Sequence, residues 1–73
     1  MFKNLKKILD DKGITVKAYA EFLGVSEKTA HNKIQGKTEF LFSEVIKTCT
    51  FICPEYRMEY VFAVEKSPQV AFA

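Results

Sequence analysis

Apolar residues along this 73-residue chain recur at helical spacing, and small or polar residues interrupt them where helices would stop. Between Phe2 and Lys12, the residues Phe2, Leu5, Ile8 and Leu9 form one stripe with lysines elsewhere, and Gly13 provides the stop. Thr15 can accept from the amides of a new first turn, after which Val16, Ala20 and Leu23 share a face. Gly24 permits the left-handed backbone of a sharp helix exit, and Ser26 can cap a third helix whose apolar residues are Ala30 and Ile34. Gly36 ends it. A loop containing Phe40 and Phe42 leads to Ser43, the expected N-cap of a fourth helix, with Glu44 in its first turn and Val45, Cys49 and Ile52 as its buried stripe. Pro54 can open a fifth helix reaching about Phe62, because a first-turn proline gives up no hydrogen bond. The pattern predicts an all-α, five-helix bundle over residues 1–63, followed by a tail, 64–73.

Ala20 matters for its size, since two helices crossing over a short turn leave no room for a large side chain at their contact. Projecting the third helix at about 100° per residue, with Ala30 and Ile34 turned inward, points Lys28, Asn32 and Gln35 outward. His31 lies at one edge of this face and Thr29 at the other, with Lys33 and Glu27 flanking the buried stripe. Donors, acceptors and two lysines on one face suit the reading of base edges in a major groove with phosphates alongside. The alternative is a solvated helix surface, which is what a charged face taken alone usually means.

At Ala20, Leu23-Gly24-Val25-Ser26, Thr29 and Ile34-Gln35-Gly36-Lys37 the chain resembles the phage repressor and Cro-type, or Xre, family of helix-turn-helix DNA-binding proteins. The resemblance spans roughly residues 2–62, and its most specific part is A-x-x-L-G-V-S-x-x-T followed by the glycine exit. It implies a lambda-repressor-like fold with the helix-turn-helix at helices two and three, and residues 27–35 as the recognition helix. It further implies base contacts from Lys28 and Asn32, with Glu27, Thr29 and His31 as additional candidates. Lys17, Ser26, Lys33, Lys37 and Thr38 stand where such proteins touch phosphates. The implied partner is double-stranded DNA, and the implied role is transcriptional regulation through operator occupancy. Three positions depart from the family pattern: Val16 stands where glutamine is common, Ala30 where a larger aliphatic residue is usual, and Phe22 where a polar residue is common.

Length and charge bound the alternatives. Seventy-three residues accommodate one small domain with a modest core and no second domain for sensing or chemistry. A hydrophobic content of 48% with 27% charged residues fits a folded globule and excludes a disordered tail. No segment approaches the roughly 20 apolar residues of a membrane span, and the amino end lacks the apolar core of a signal peptide, so a cytoplasmic protein is expected. The net charge of +2 is unevenly spread: residues 1–37 hold eight lysines against four acids, a net of +4, and the remainder holds three cations against five acids, a net of −2. That asymmetry turns the motif-bearing half toward polyanions.

The fifth helix is apolar on two sides, with Tyr56, Tyr60 and Ala63 on one and Met58, Val61 and Phe62 on the other. A small monomer buries only one side of such a helix, so a homodimer contact is expected from Phe51, Met58, Val61 and Phe62. The alternatives are a tail 64–73 folded back over this surface, or short strands formed by E-Y-V-F-A-V-E and Q-V-A-F-A. Cys49 and Cys53, four apart on a helix, lack the further ligands of a zinc site and read as reduced, mostly buried thiols. His31, the single histidine, has no cysteine or paired carboxylate near it in sequence. No enzyme activity, metal, cofactor or small-molecule ligand is expected. The rival reading is a protein-interaction module, anti-repressor or antitoxin-like, working through the exposed apolar face on the same scaffold.

Overall fold

The computed structural model describes residues 1–63. Among these the chain is all-helical: α1 spans Lys3–Asp11, α2 Val16–Leu23, α3 Glu27–Gln35, α4 Phe42–Lys47 and α5 Met58–Val61, and α4 continues into a π-helical turn, Thr48–Ile52. No helix here is long and apolar enough to cross a membrane.

The helix boundaries follow from local chemistry. Thr15 Oγ1 accepts the Ala18 amide at 3.0 Å to start α2, and Ser26 Oγ accepts the Thr29 amide at 3.1 Å to start α3. Gly24 and Gly36 end these helices at φ +80° and +88°, a region closed to most side chains. The residue after each glycine donates back to the last turn, Val25 N to Ala20 O at 3.0 Å and Lys37 N to Asn32 O at 2.9 Å, which satisfies carbonyls the helix would otherwise leave open. The helix pair expected from the sequence is present, and α2 and α3 pack more closely than any other two elements. Ala20 and Ala30 are both buried.

Leu5, Ile8 and Leu9 of α1 form the core with Tyr19, Ile34, Cys53 and Val61. Phe2, Phe40 and Phe62 close one end edge-to-face, with ring centroids 5.0 to 5.7 Å apart. Tyr19 was outside the apolar stripe expected for α2, yet it is completely buried. Its hydroxyl makes this possible. Thr48 Oγ1 donates to the Glu44 carbonyl at 2.8 Å, which leaves its oxygen free to accept from Tyr19 Oη at 2.8 Å. Burial pushes the Tyr19 phenol well above its ordinary range.

The second half departs from expectation at three places. Helix α4 begins one residue after Leu41, and Ser43, the expected cap, lies in the first turn. The cap is supplied by Glu44, whose Oε1 accepts the Leu41 amide at 2.9 Å. The buried side of α4 is accordingly polar, made by Glu44 and Thr48, while Val45, Cys49 and Ile52 are half-buried beside it. The α-helical ladder then widens, and Cys53 N donates to Thr48 O at 3.2 Å, five residues back. The expected fifth helix from Pro54 is a turn followed by only four helical residues. Pro54 occupies the second position of a turn closed by Tyr56 N to Cys53 O at 3.1 Å, and Lys12 holds Glu55 at 2.7 Å against the end of α1. The described part of the strand alternative, Glu59–Ala63, is largely within α5. The rest of it lies in the tail 64–73, outside the described residues.

Both cysteines are free thiols, Cys53 buried and Cys49 partly so. Burial raises both, Cys53 to about 11. A thiol raised in the folded state stabilises fully below its unfolded value near 9.0 and loses that contribution as pH rises toward 11. Urea midpoints are therefore expected to fall between about pH 9 and pH 11, and to fall less steeply in Cys53→Ala. Tyr19→Phe, which removes one hydrogen bond and keeps the ring, should cost about 1 kcal/mol in a urea titration near neutral pH.

Candidate nucleic-acid interface

Helix α3 has nine residues, with Ser26 as its cap and Glu27 in its first turn. Glu27, Lys28, His31 and Gln35 are exposed along it, and Asn32 is half-buried between them. His31 Nε2 and Gln35 Nε2 lie 3.3 Å apart, so these side chains share one patch. Thr29 is half-buried, and its hydroxyl accepts from Ser26 Oγ at 2.9 Å. Ser26 and Thr29 are thus engaged in fixing the amino end of the helix.

Lys33 does not join the exposed set. It is 5% exposed, and its ammonium lies 2.9 Å from Glu44 Oε1, donates to the Glu39 carbonyl at 3.0 Å and stands over the Phe40 ring. In place of the phosphate contact expected of it, Lys33 makes a structural one: the Glu44 carboxylate and the Glu39 carbonyl hold the buried ammonium and offset the cost of taking it out of water. Nothing in the sequence pattern pointed to Glu44 as that partner; the available signal was Lys33 on the flank of the buried stripe.

The remaining lysines sort by partner. Lys6 pairs with Asp10, Lys7 with Asp11 and Lys12 with Glu55, while Lys47 donates to the Phe22 carbonyl at 2.8 Å and lies over the Phe22 ring. Lys17, Lys28 and Lys37 form no ion pair among the described residues. They lie in the first turn of α2, in the first turn of α3 and just beyond the α3 exit. Thr38 is exposed next to Lys37, and the amides of both bond to Asn32 O at 2.9 and 3.3 Å, which ties this exit to the helix.

The departures at Val16 and Phe22 have structural reasons. Val16 is half-buried against the core, and Phe22 stacks on Tyr19 with centroids 6.2 Å apart. The expected dimer face is divided by the fold. Phe51 is 71% exposed and Met58 37%. Val61, by contrast, is completely buried and cannot belong to an outer contact, while Phe62 is half-buried and packs on Phe2 and Phe40. The shortened α5 turns Val61 inward. Among the described residues no cluster of three His, Cys, Asp or Glu side chains is arranged to hold a metal ion.

No protein-family model matches this chain, and no curated protein or solved structure matches it.

The contrast between two lysines on either side of the α3 exit is directly measurable. Lys33→Ala leaves Glu44 buried without its cation and should cost about 3 to 5 kcal/mol of unfolding free energy. Lys37→Ala should stay within about 0.5 kcal/mol of wild type in the same denaturant titration.

Proposed function

We propose that this chain is a sequence-specific double-stranded DNA-binding protein, a small cytoplasmic transcriptional regulator of the phage repressor or Cro type. It acts as a homodimer that occupies an operator, with α2 and α3 as a helix-turn-helix in a lambda-repressor-like fold. The observation that carries this reading is that Lys17, Lys28 and Lys37, which border α2 and α3, form no ion pair among the described residues.

A nine-residue helix is about 13 Å long, enough to lie in a major groove about 12 Å wide. Lys28 and Asn32 reach base edges, a lysine suiting guanine acceptors and an asparagine the paired donor and acceptor of adenine. Glu27 and His31 border the same edges. Lys17, Lys37 and Thr38 meet phosphates, and the capping of α3 by Ser26 holds that helix end in register with them. On this reading the protein performs no covalent chemistry and uses no cofactor.

One observation favours the rival, a protein-interaction module of the anti-repressor or antitoxin-like kind: Leu41, Phe42 and Phe51 present large apolar surface to solvent. The two readings separate by salt. DNA affinity falls with a log–log slope of about −0.9 per neutralised phosphate, whereas an apolar protein contact barely responds. Asn32→Ala is expected to weaken cognate DNA by about 1 to 3 kcal/mol and random DNA little, while Lys37→Ala weakens both and reduces the salt slope by about 1 per protomer. Fluorescence anisotropy across a salt series checks both, and equal losses on the two DNAs for Asn32→Ala would remove the base-reading role.

A further inference from the structure

The segment in which α4 widens carries two sulfurs. Cys49 lies inside the π-helical turn Thr48–Ile52 and Cys53 closes it, the Cys53 amide bonding to Thr48 O at 3.2 Å. An α-helix sets residues four apart about 6 Å from one another along its axis. A π turn puts more residues into each turn and draws such a pair together on one side. The two thiols accordingly stand within hydrogen-bonding reach of each other, and the Cys53 thiol also faces the Thr48 carbonyl at 3.7 Å. Single π turns are uncommon, and they gather at functional sites.

We infer that Cys49 and Cys53 form a two-thiolate binding site for a soft monovalent cation of the copper(I) class. On binding, each thiol releases its proton to solvent and a metal–sulfur bond replaces the S–H bond, so the ion keeps its oxidation state and no oxidant enters. The inference stands apart from the DNA-binding reading, which uses neither cysteine.

The donor set selects the ion. Both ligands are sulfur, which favours soft cations, and among the described residues no third His, Cys, Asp or Glu side chain joins them. A structural zinc needs a full tetrahedral set and calcium or magnesium a shell of oxygens, so neither fits, whereas a soft monovalent ion is satisfied by a pair of thiolates. The surroundings point the same way. Cys53 is completely buried and Cys49 packs half-buried against the core of Leu5, Ile8, Leu9 and Tyr19. Burial penalises a bare thiolate at either sulfur, and at Cys53 the Glu55 carboxylate adds to the penalty, which Lys12, paired with Glu55 at 2.7 Å, offsets only in part. A cation shared by both sulfurs supplies the missing positive charge at that point. Cys49 remains partly open to solvent, which gives the ion its entry. Bound there, the ion would clamp the π turn beside the Thr48 hydroxyl that holds Tyr19.

An anaerobic titration of the reduced full chain, without DNA, against copper(I) carried by the coloured chelator bicinchoninate tests this. The expected result is transfer of one copper per chain with an unchanged helical circular dichroism spectrum, and loss of that transfer in Cys49→Ser at the same chelator concentration. If Cys49→Ser loses its helical spectrum, Cys49→Ala is read in its place. Excess zinc is expected to leave the bound copper where it is. A wild-type chain that takes no copper overturns the inference, as does a variant that takes as much as the wild type. Transfer of two coppers per chain, one to each thiol, overturns it too, and so does loss of helix on loading or displacement of the copper by zinc. Since no DNA is present, the result is the same whether or not the chain reads DNA.

Discussion

The buried carboxylate of Glu44 is the group on which the arrangement of α2, α3 and α4 depends. Its side chain takes the Lys33 ammonium of α3 and the Leu41 amide that opens α4, and its carbonyl accepts the Thr48 hydroxyl, which in turn accepts from Tyr19 of α2. Three helices therefore meet at one residue that is 6% exposed. Taking both charges of the pair out of water carries a large desolvation cost, and the cost is recovered only because the remaining polar atoms are bonded, Lys33 also reaching the Glu39 carbonyl. Among the described residues every buried side-chain nitrogen and oxygen has a partner.

This polar junction does what an apolar contact would do less selectively. Hydrophobic packing is non-directional and tolerates sliding, whereas an ion pair with two further hydrogen bonds fixes the rotation of α3 about its own axis. That rotation decides which side chains face outward. With Lys33 held against Glu44, Lys28 and His31 are exposed along α3, and Lys37 and Thr38 leave its end anchored to Asn32.

Much of the first half was legible in the sequence because its determinants are local. Thr15, Gly24, Ser26 and Gly36 each act within one turn of their own position, so reading them one at a time places α2 and α3 correctly. The second half was less legible because its determinants are distant in sequence. Ser43 has the chemistry of a cap, but Glu44 outcompetes it once Lys33 fixes that carboxylate nearby; Pro54 suits a helix start, but Lys12, 43 residues away from Glu55, favours a turn. Lys33 was expected at a phosphate for the same reason, and Tyr19, outside the stripe expected for α2, is buried because the distant Thr48 gives its hydroxyl a partner. In the candidate interface, the positions of Lys28, Asn32 and Lys37 on or beside α3 followed from periodicity, whereas the loss of Lys33 and of Val61 from the outer surface required the tertiary contacts.

On the function proposed, the orientation of α3 makes this chain a reader of DNA sequence. Its most direct test is selection of bound sites from a random double-stranded DNA library by the full chain at moderate salt, followed by sequencing of the retained pool. The expected result is enrichment of an inverted repeat whose half-sites lie about one helical turn, roughly 34 Å, apart. A retained pool with the same composition as the input would contradict it.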